Sequence, residues 1–221
     1  MKCKAFFCCS LGLLSTIPVL ANPAKSYSDD FNRAEFGDVW MSHAKSFEIK
    51  DGVLHAWMNE GANHGAVTRA QWNFGDAEIQ YDFMFDGADR FNFVVDDKNC
   101  KEVHAGHTCR VSVSKRGFSI QDDYTGAMNL EFRELRKDPA NAEYVEKVLA
   151  ETKVFVPFMF EEGRWYTMTV RMQGDVMTVD IDGKREGKLK SPGLAHQTNT
   201  QFGFTVIGRQ MKYDNVRAKS L

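Results

Sequence analysis

The chain has 221 residues, 43% of them hydrophobic, with 28 basic and 30 acidic side chains and a formal charge of −2. That balance excludes the basic face that a nucleic-acid partner demands. The length suits a single domain with a full core once a leader is removed.

The leader is expected at residues 1–21. Lys2 and Lys4 give a short positive region, Ala5 to Leu20 is mostly apolar, and Val19-Leu20-Ala21 offers a small-residue cleavage site before Asn22-Pro23. Ser10, Gly12, Ser15 and Pro18 interrupt the apolar run, so it falls short of the roughly 20 residues of a spanning helix. The reading is a signal peptide over 1–21, a linker over 22–28 and a folded domain over 29–221, secreted or periplasmic, with no membrane contact after cleavage. Cys3, Cys8 and Cys9 leave with the leader. Cys100 and Cys109 remain, and an oxidising compartment predicts a disulfide between them. Such a bridge closes a loop of about ten residues and contributes on the order of 2–3 kcal/mol.

Asp29-Asp30-Phe31-Asn32-Arg33 opens the folded part. Phe47-Glu48-Ile49 leads into Asp51-Gly52, a hairpin turn signal, and Val53 to Trp57 follows. His64 to Arg69 begins the next strand. Ile79, Tyr81, Phe83 and Phe85 alternate with Glu78, Gln80 and Asp82. Phe91, Phe93 and Val95 alternate with Asn92 and Asp96, and Arg110, Ser112 and Ser114 with Val111 and Val113. Phe118 and Ile120 alternate with Ser119 and Gln121. Four successive strands therefore bury one face and present a polar one.

Asp138-Pro139 then reads as a helix start, with Ala142, Val145, Val148 and Leu149 on one side. An insertion is expected over about 127–155, packed on the domain as a surface elaboration or a lid. Strands resume at Trp165–Met172 and Val176–Ile181, split by Gly174-Asp175. Phe202–Val206 and Tyr213–Arg217 close the chain. About a dozen short strands with one helical insertion predict an all-β sandwich. Its ends are expected to pair, bringing Asp29-Asp30 toward Asp214-Asn215.

Four stretches carry a resemblance: DDFNR…W…FEIKDGVL, HGAVTR, GRWYTMTVRMQGDVMTVDIDG and YDNVRA. Together they resemble the concanavalin A-like, glucanase-type jelly-roll sandwiches, and among these the secreted bacterial domains named for 3-keto-disaccharide hydrolysis. The resemblance implies a jelly-roll β-sandwich and an exported carbohydrate-active protein, a glycoside hydrolase or a non-catalytic carbohydrate-binding module, with a saccharide or polysaccharide as partner. A structural or adhesion domain is a third reading, and the oligomeric state is left open. The same sandwich hosts many activities. The E-x-D-x-x-E motif of family-16 glucanases is absent, and a retaining glycosidase needs two carboxyls roughly 5 Å apart.

Candidate residues follow from chemistry. Gln80, Asp82, Asn92, Arg110, Ser112 and Gln121 share one polar face if the strands pair in order, and amides, carboxylates and cations there suit sugar hydroxyls. A solvated sheet face is the plainer alternative. His64 and His107 are the candidate acid/base groups, with Asp82 or Asp97 as partner. Arg69 is suited to an acidic or oxyanionic group. His196 follows Ser191-Pro192-Gly193 and reaches for the same rim. Cys100, His104, His107 and Cys109 also have zinc-like spacing, although the compartment favours the disulfide. Asp29, Asp30 and Asp214 are candidates for a structural calcium, with turn capping as the alternative. Trp40, Trp57, Trp72 and Trp165 read as core or edge packing, with Trp57 and Trp72, near loops, as the best candidates for a sugar platform.

Overall fold

A computed structural model describes residues 25–42 and 46–221. The expected leader lies outside the described residues. The strands in chain order are β1 (Ser26–Asp29), β2 (Trp40–Ser42), β3 (Phe47–Lys50), β4 (Val53–Trp57), β5 (Ala66–Phe74), β6 (Ala77–Asp96), β7 (His107–Ser114) and β8 (Gly117–Asp122). Two helices follow, α1 (Leu130–Leu135) and α2 (Ala142–Glu151). Then come β9 (Lys153–Pro157), β10 (Trp165–Gln173), β11 (Val176–Ile181), β12 (Lys184–Lys190) and β13 (Asn199–Ser220). The fold is the expected all-β jelly roll. Folded structure starts inside the expected linker, because β1 pairs with β13 from Ser26 onward. The predicted meeting of the ends holds, with Asp29 opposite Val216.

Two strands differ from the sequence reading in a way that decides the site. Glu78–Phe85 and Phe91–Val95 are not separate strands but halves of the 20-residue β6. Phe202–Val206 and Tyr213–Arg217 are likewise halves of the 22-residue β13. Each strand bends where glycine takes a positive φ, +93° at Gly87 and +94° at Gly208, beside one another in the ladder. The two long strands therefore pass from one sheet into the other. The front sheet runs β2-β5-β13-β6-β7-β8-β9, using the first part of β13 and the second part of β6. The back sheet runs β3-β4-β13-β6-β10-β11-β12, using the opposite halves.

The bend turns both halves of β6 toward one core. Tyr81 and Phe93, on the same strand, stack with ring centres 5.3 Å apart. Phe204 and Tyr213 of β13 do the same at 3.9 Å. Phe83, Phe85, Phe91 and Phe202 fill the space between them with no exposed surface. Fully burying each such ring contributes roughly 1.5–3 kcal/mol. The corollary is that the polar residues of the two halves of β6 point to opposite outer faces of the molecule.

The insertion lies between β8 and β9. It carries α2 near its expected place and also the shorter α1, started by Asn129, whose side chain accepts from Phe132 N. Asp138 caps a single turn over Pro139–Asn141 rather than α2 itself. The insertion ends at Thr152, since Lys153–Pro157 pairs with β8 as a strand. Among the described residues no helix is long and apolar enough to cross a membrane.

The expected disulfide is not formed; Cys100 and Cys109 are free thiols. The alternation of β7 explains it. Cys109, Val111 and Val113 all point inward, and the Cys109 thiol sits 3.9 Å from Met172 Sδ. Cys100 instead donates to Glu102 Oε2 at 3.1 Å. The loop between β6 and β7 is held by main-chain bonds to the insertion: His104 N to Met128 O at 2.8 Å and Leu130 N to Glu102 O at 2.9 Å.

Candidate active site

A cleft of about 530 Å³ opens on the outer face of the front sheet. Strand register builds its floor in rows. Gln201, Asp96 and His107 are neighbours across β13, β6 and β7. Arg69, Gly203, Val94 and Arg110 form the next row, and Val67, Thr205, Asn92 and Ser112 the one beyond. Cross-strand partners share a face, so these polar side chains converge without any loop having to fold over them. His64 and Asn63 stand at one rim. His104, Met128 and Arg133, from the β6–β7 loop and the insertion, stand at another.

Asp96 organises the floor. Its Oδ1 meets His107 Nδ1 at 2.5 Å, while Oδ2 accepts from Arg69 Nε at 2.6 Å and Gln201 Nε2 at 3.1 Å. Burial works to raise its pKa, but the His107 hydrogen bond and the Arg69 charge outweigh burial and hold the carboxyl at about 2. At neutral pH Asp96 is thus a pure acceptor. His107 Nδ1 donates to that carboxylate, so Nε2 is the ring nitrogen that Asp96 leaves unengaged, on a ring that is 22% exposed at the cleft. This is a base held in one tautomer by a buried carboxylate, the arrangement used in catalytic triads.

The two cleft arginines beside it are already committed. Arg69 is buried, and its Nη1 donates to Thr68 O and Phe204 O, both at 2.9 Å. It steadies Asp96 rather than reaching a ligand, which corrects the expected direct role. Arg110 clasps Asp123 through Nε at 2.6 Å and Nη2 at 2.8 Å. Burial pushes the Asp123 carboxyl up, and the Arg110 contact works against that shift. Arg133 lines the cleft with no carboxylate within salt-bridge distance among the described residues. The His104 imidazole is lowered by burial and by the charge of Arg133. At the opposite rim His64 Nδ1 lies 2.8 Å from Gly65 O.

The remaining expected site residues go elsewhere. Gln80 and Asp82 sit on the back-sheet half of β6, beyond the Gly87 bend. Asp82 accepts from Thr167 Oγ1 at 2.6 Å and Asn215 Nδ2 at 2.9 Å. Gln80 lies by the β1 edge with Arg217. Asp97, one position past Asp96, turns the other way. It contacts His196 Nε2 at 2.9 Å and Thr198 Oγ1 at 2.7 Å, so neither Asp97 nor His196 faces the cleft. Gln121 is opposite Arg110 on the same sheet face, just outside the cleft. Trp57 and Trp72 are not platforms there, and Trp72 packs on Phe74 and Phe202. Asp96 is the functional residue that the role assignment missed, although its alternation with Asn92 placed it on the polar face.

No three His, Cys, Asp or Glu side chains converge as metal ligands among the described residues. Cys100, His104, His107 and Cys109 are therefore not gathered as a zinc set. Asp29 is saturated by Arg33, Trp40 Nε1 at 2.8 Å, Tyr27 Oη at 2.8 Å and Phe31 N at 2.9 Å. Asp30 accepts from Asn32 N, and Asp214 from Asn215 N. A hollow of about 600 Å³ beside Asp29 and Asn215 holds no histidine.

Within this geometry the cleft has one acidic side chain, Asp96, among the described residues. A family model described as the 3-keto-alpha-glucoside-1,2-lyase-like domain matches residues 26–219. The chain belongs to that family. No curated protein matches it. Among solved structures, it resembles a Bacillus licheniformis beta-glucanase with a TM-score of 0.61 and 10% identity, covering 87% of this chain and 97% of that one. The Crh5 transglycosylase gives 0.60 at 12% identity, covering 88% and 84%. The carbohydrate-binding module CBM66 from Bacillus subtilis gives 0.51 at 9% identity, covering 80% and 94%. At these identities the likeness is one of fold.

Proposed function

We propose that this member of the 3-keto-glucoside lyase-like family cleaves a 3-keto glycoside, with His107 as the base. One observation carries the reading: the Asp96-held imidazole opens into a cleft with no second carboxylate among the described residues. Two-carboxylate glycoside hydrolysis has no footing in such a cleft. A ketone at C3 acidifies the hydrogen on C2, and one positioned base then suffices. His107 Nε2 takes that proton, the electron pair forms the C1–C2 double bond, and the bond from C1 to the glycosidic oxygen breaks. The leaving oxygen takes a proton from water as it departs. Arg133 supplies positive potential where negative charge develops on the C3 oxygen. Water added across the new double bond makes the net change the hydrolysis of a 3-keto-disaccharide.

The test uses the chain from Asn22 onward with a 3-keto-disaccharide. Elimination yields a conjugated enone, so ultraviolet absorbance should rise as the second sugar is released. His107→Ala should lower kcat about 10²–10⁴-fold, the usual contribution of a general base. Full activity in His107→Ala refutes the assignment. Binding of glycans without turnover by the unaltered protein instead supports a carbohydrate-binding module, the reading favoured by the resemblance in fold to CBM66. Export to the periplasm or outside the cell is part of the proposal, motivated by residues 1–21. A mature amino terminus other than Asn22 overturns that cleavage point.

A further inference from the structure

We infer that Phe155, on the edge strand β9, is an aromatic subsite for a sugar ring beyond the cleft, and that the ligand is an oligosaccharide longer than two units. This rests on the proposed saccharide reading of the cleft and extends it. The cleft floor does not end at Arg110. Register continues its outer rows as Asn92–Ser112–Ser119–Phe155 across β6, β7, β8 and β9. Cross-strand partners share a face, so Phe155 looks out on the same side as Asn92. Its neighbours Val154 and Val156 pack against the core, which confirms the alternation.

Between the cleft and Phe155 stand only the short side chains of Ser112 and Ser119, and Ser119 is buried. Phe155 is 56% exposed, unusual for a large apolar residue on a polar face. Its ring does not stand upright. A side chain on Gly117 would meet Phe155 Cζ at 2.8 Å and Cε2 at 3.0 Å, so the ring tip lies down over that glycine. Gly117 has φ +147° and no Cβ, and this is what lets the ring rest on the sheet with one face toward solvent. A flat, pre-positioned aromatic face, in line with hydroxyl-bearing side chains, suits the apolar C–H face of a pyranose ring. His107 on β7 and Phe155 on β9 lie two strand spacings apart, about 10 Å, and four residues apart along the strands, about 13 Å, which makes roughly 16 Å in all. Two sugar rings seated at His107 do not cover that span, and a trisaccharide or longer chain does.

The occupant competing for this position is a second copy of the protein, since β9 pairs only with β8 and leaves its other edge open. Calorimetric titration of the chain from Asn22 onward with α- and β-linked gluco-oligosaccharides of two to six units separates the cases. Affinity should rise with length beyond two units. Phe155→Ala should weaken tetrasaccharide binding about tenfold with disaccharide binding unchanged, and Phe155→Trp should restore it. The side chain is exposed, so the melting temperature should stay the same. Equal tetrasaccharide binding by Phe155→Ala overturns the subsite. So does an altered sedimentation mass with unaltered binding, which assigns the ring to self-association. Disaccharide binding with no dependence on length removes the subsite alone. Failure of the unaltered protein to bind any member of the series overturns the subsite, while turnover of the 3-keto-disaccharide reports separately on the reading of the cleft.

Discussion

Asp96→Asn is the sharpest probe of the cleft. The substitution keeps shape and removes charge at a carboxylate that is 2% exposed. Folding holds that carboxyl at about 2 against an ordinary 3.8, which corresponds to roughly 2–3 kcal/mol of stability at neutral pH. Removing the charge also strands the buried Arg69 guanidinium, and breaking a buried pair from one side costs about 3–5 kcal/mol. The two figures describe one interaction from two sides, so a loss near 3 kcal/mol is expected at pH 7. The sign with pH follows from a depressed carboxyl. The contribution is complete above about pH 4 and lost as pH falls toward about 2. Urea unfolding of both proteins at pH 7, 4 and 2.5 should therefore give a gap that narrows at the lowest pH. Activity should drop with stability, because Asn accepts or donates at His107 Nδ1 and no longer fixes the tautomer. Replacing Arg69 by Met in the same chain should recover part of the loss, since no unpaired cation then remains. A gap under 0.5 kcal/mol at pH 7, or one that stays constant down to pH 2.5, refutes the role given to Asp96.

Two further outcomes follow from the core. Burial pushes both the Cys100 and Cys109 thiols up, so the native chain from Asn22 onward should react slowly with a thiol reagent and titrate two equivalents once unfolded without reductant; fewer than two would restore the disulfide. The Tyr213 hydroxyl is buried with no hydrogen-bond partner among the described residues. Tyr213→Phe should raise stability by about 1 kcal/mol in urea unfolding, because an unpaired buried polar group costs roughly 1–3 kcal/mol; a loss of 1 kcal/mol or more would reveal a partner.

Much of the fold is written in period-two alternation. Ile79 to Phe85, Phe91 to Val95 and Val111 to Val113 all face the core as their pattern demands. Asp51-Gly52 makes the predicted hairpin, with φ of +53° and +74°. The same pattern carried Asn92 and Arg110 to the cleft face, whereas His107 has the inward parity of Cys109 and Val111 and reaches the cleft because the register shifts between Val95 and Asp96. It fails where geometry is not periodic. Gly87 in Asp86-Gly87-Ala88 reads as a reversal, yet the chain bends there and continues, so Gln80 and Asp82 are carried to the other side. Cys109 shares the inward parity of Val111, a signal that compartment reasoning overrode. Asp97 and His196 lie at loop positions, where alternation says nothing about direction. A six-residue helix such as α1 has too few turns to show a period.

The placement of β13 reaches beyond the cleft. It is last among the described strands and also central in both sheets, flanked by β6 on one side and by β1, β4 and β5 on the other. Neither sheet can close until residues 199–220 are in hand, so every ladder that β13 makes must wait for a partner remote in sequence, while hairpins such as β6–β7 and β10–β11 are local. Such a chain has a high contact order and is slow to fold. Until β13 is made, β6 stays open along the whole edge that β13 fills. That is a liability for a chain finishing in a crowded compartment and an advantage for one that must be threaded through a narrow passage before it folds.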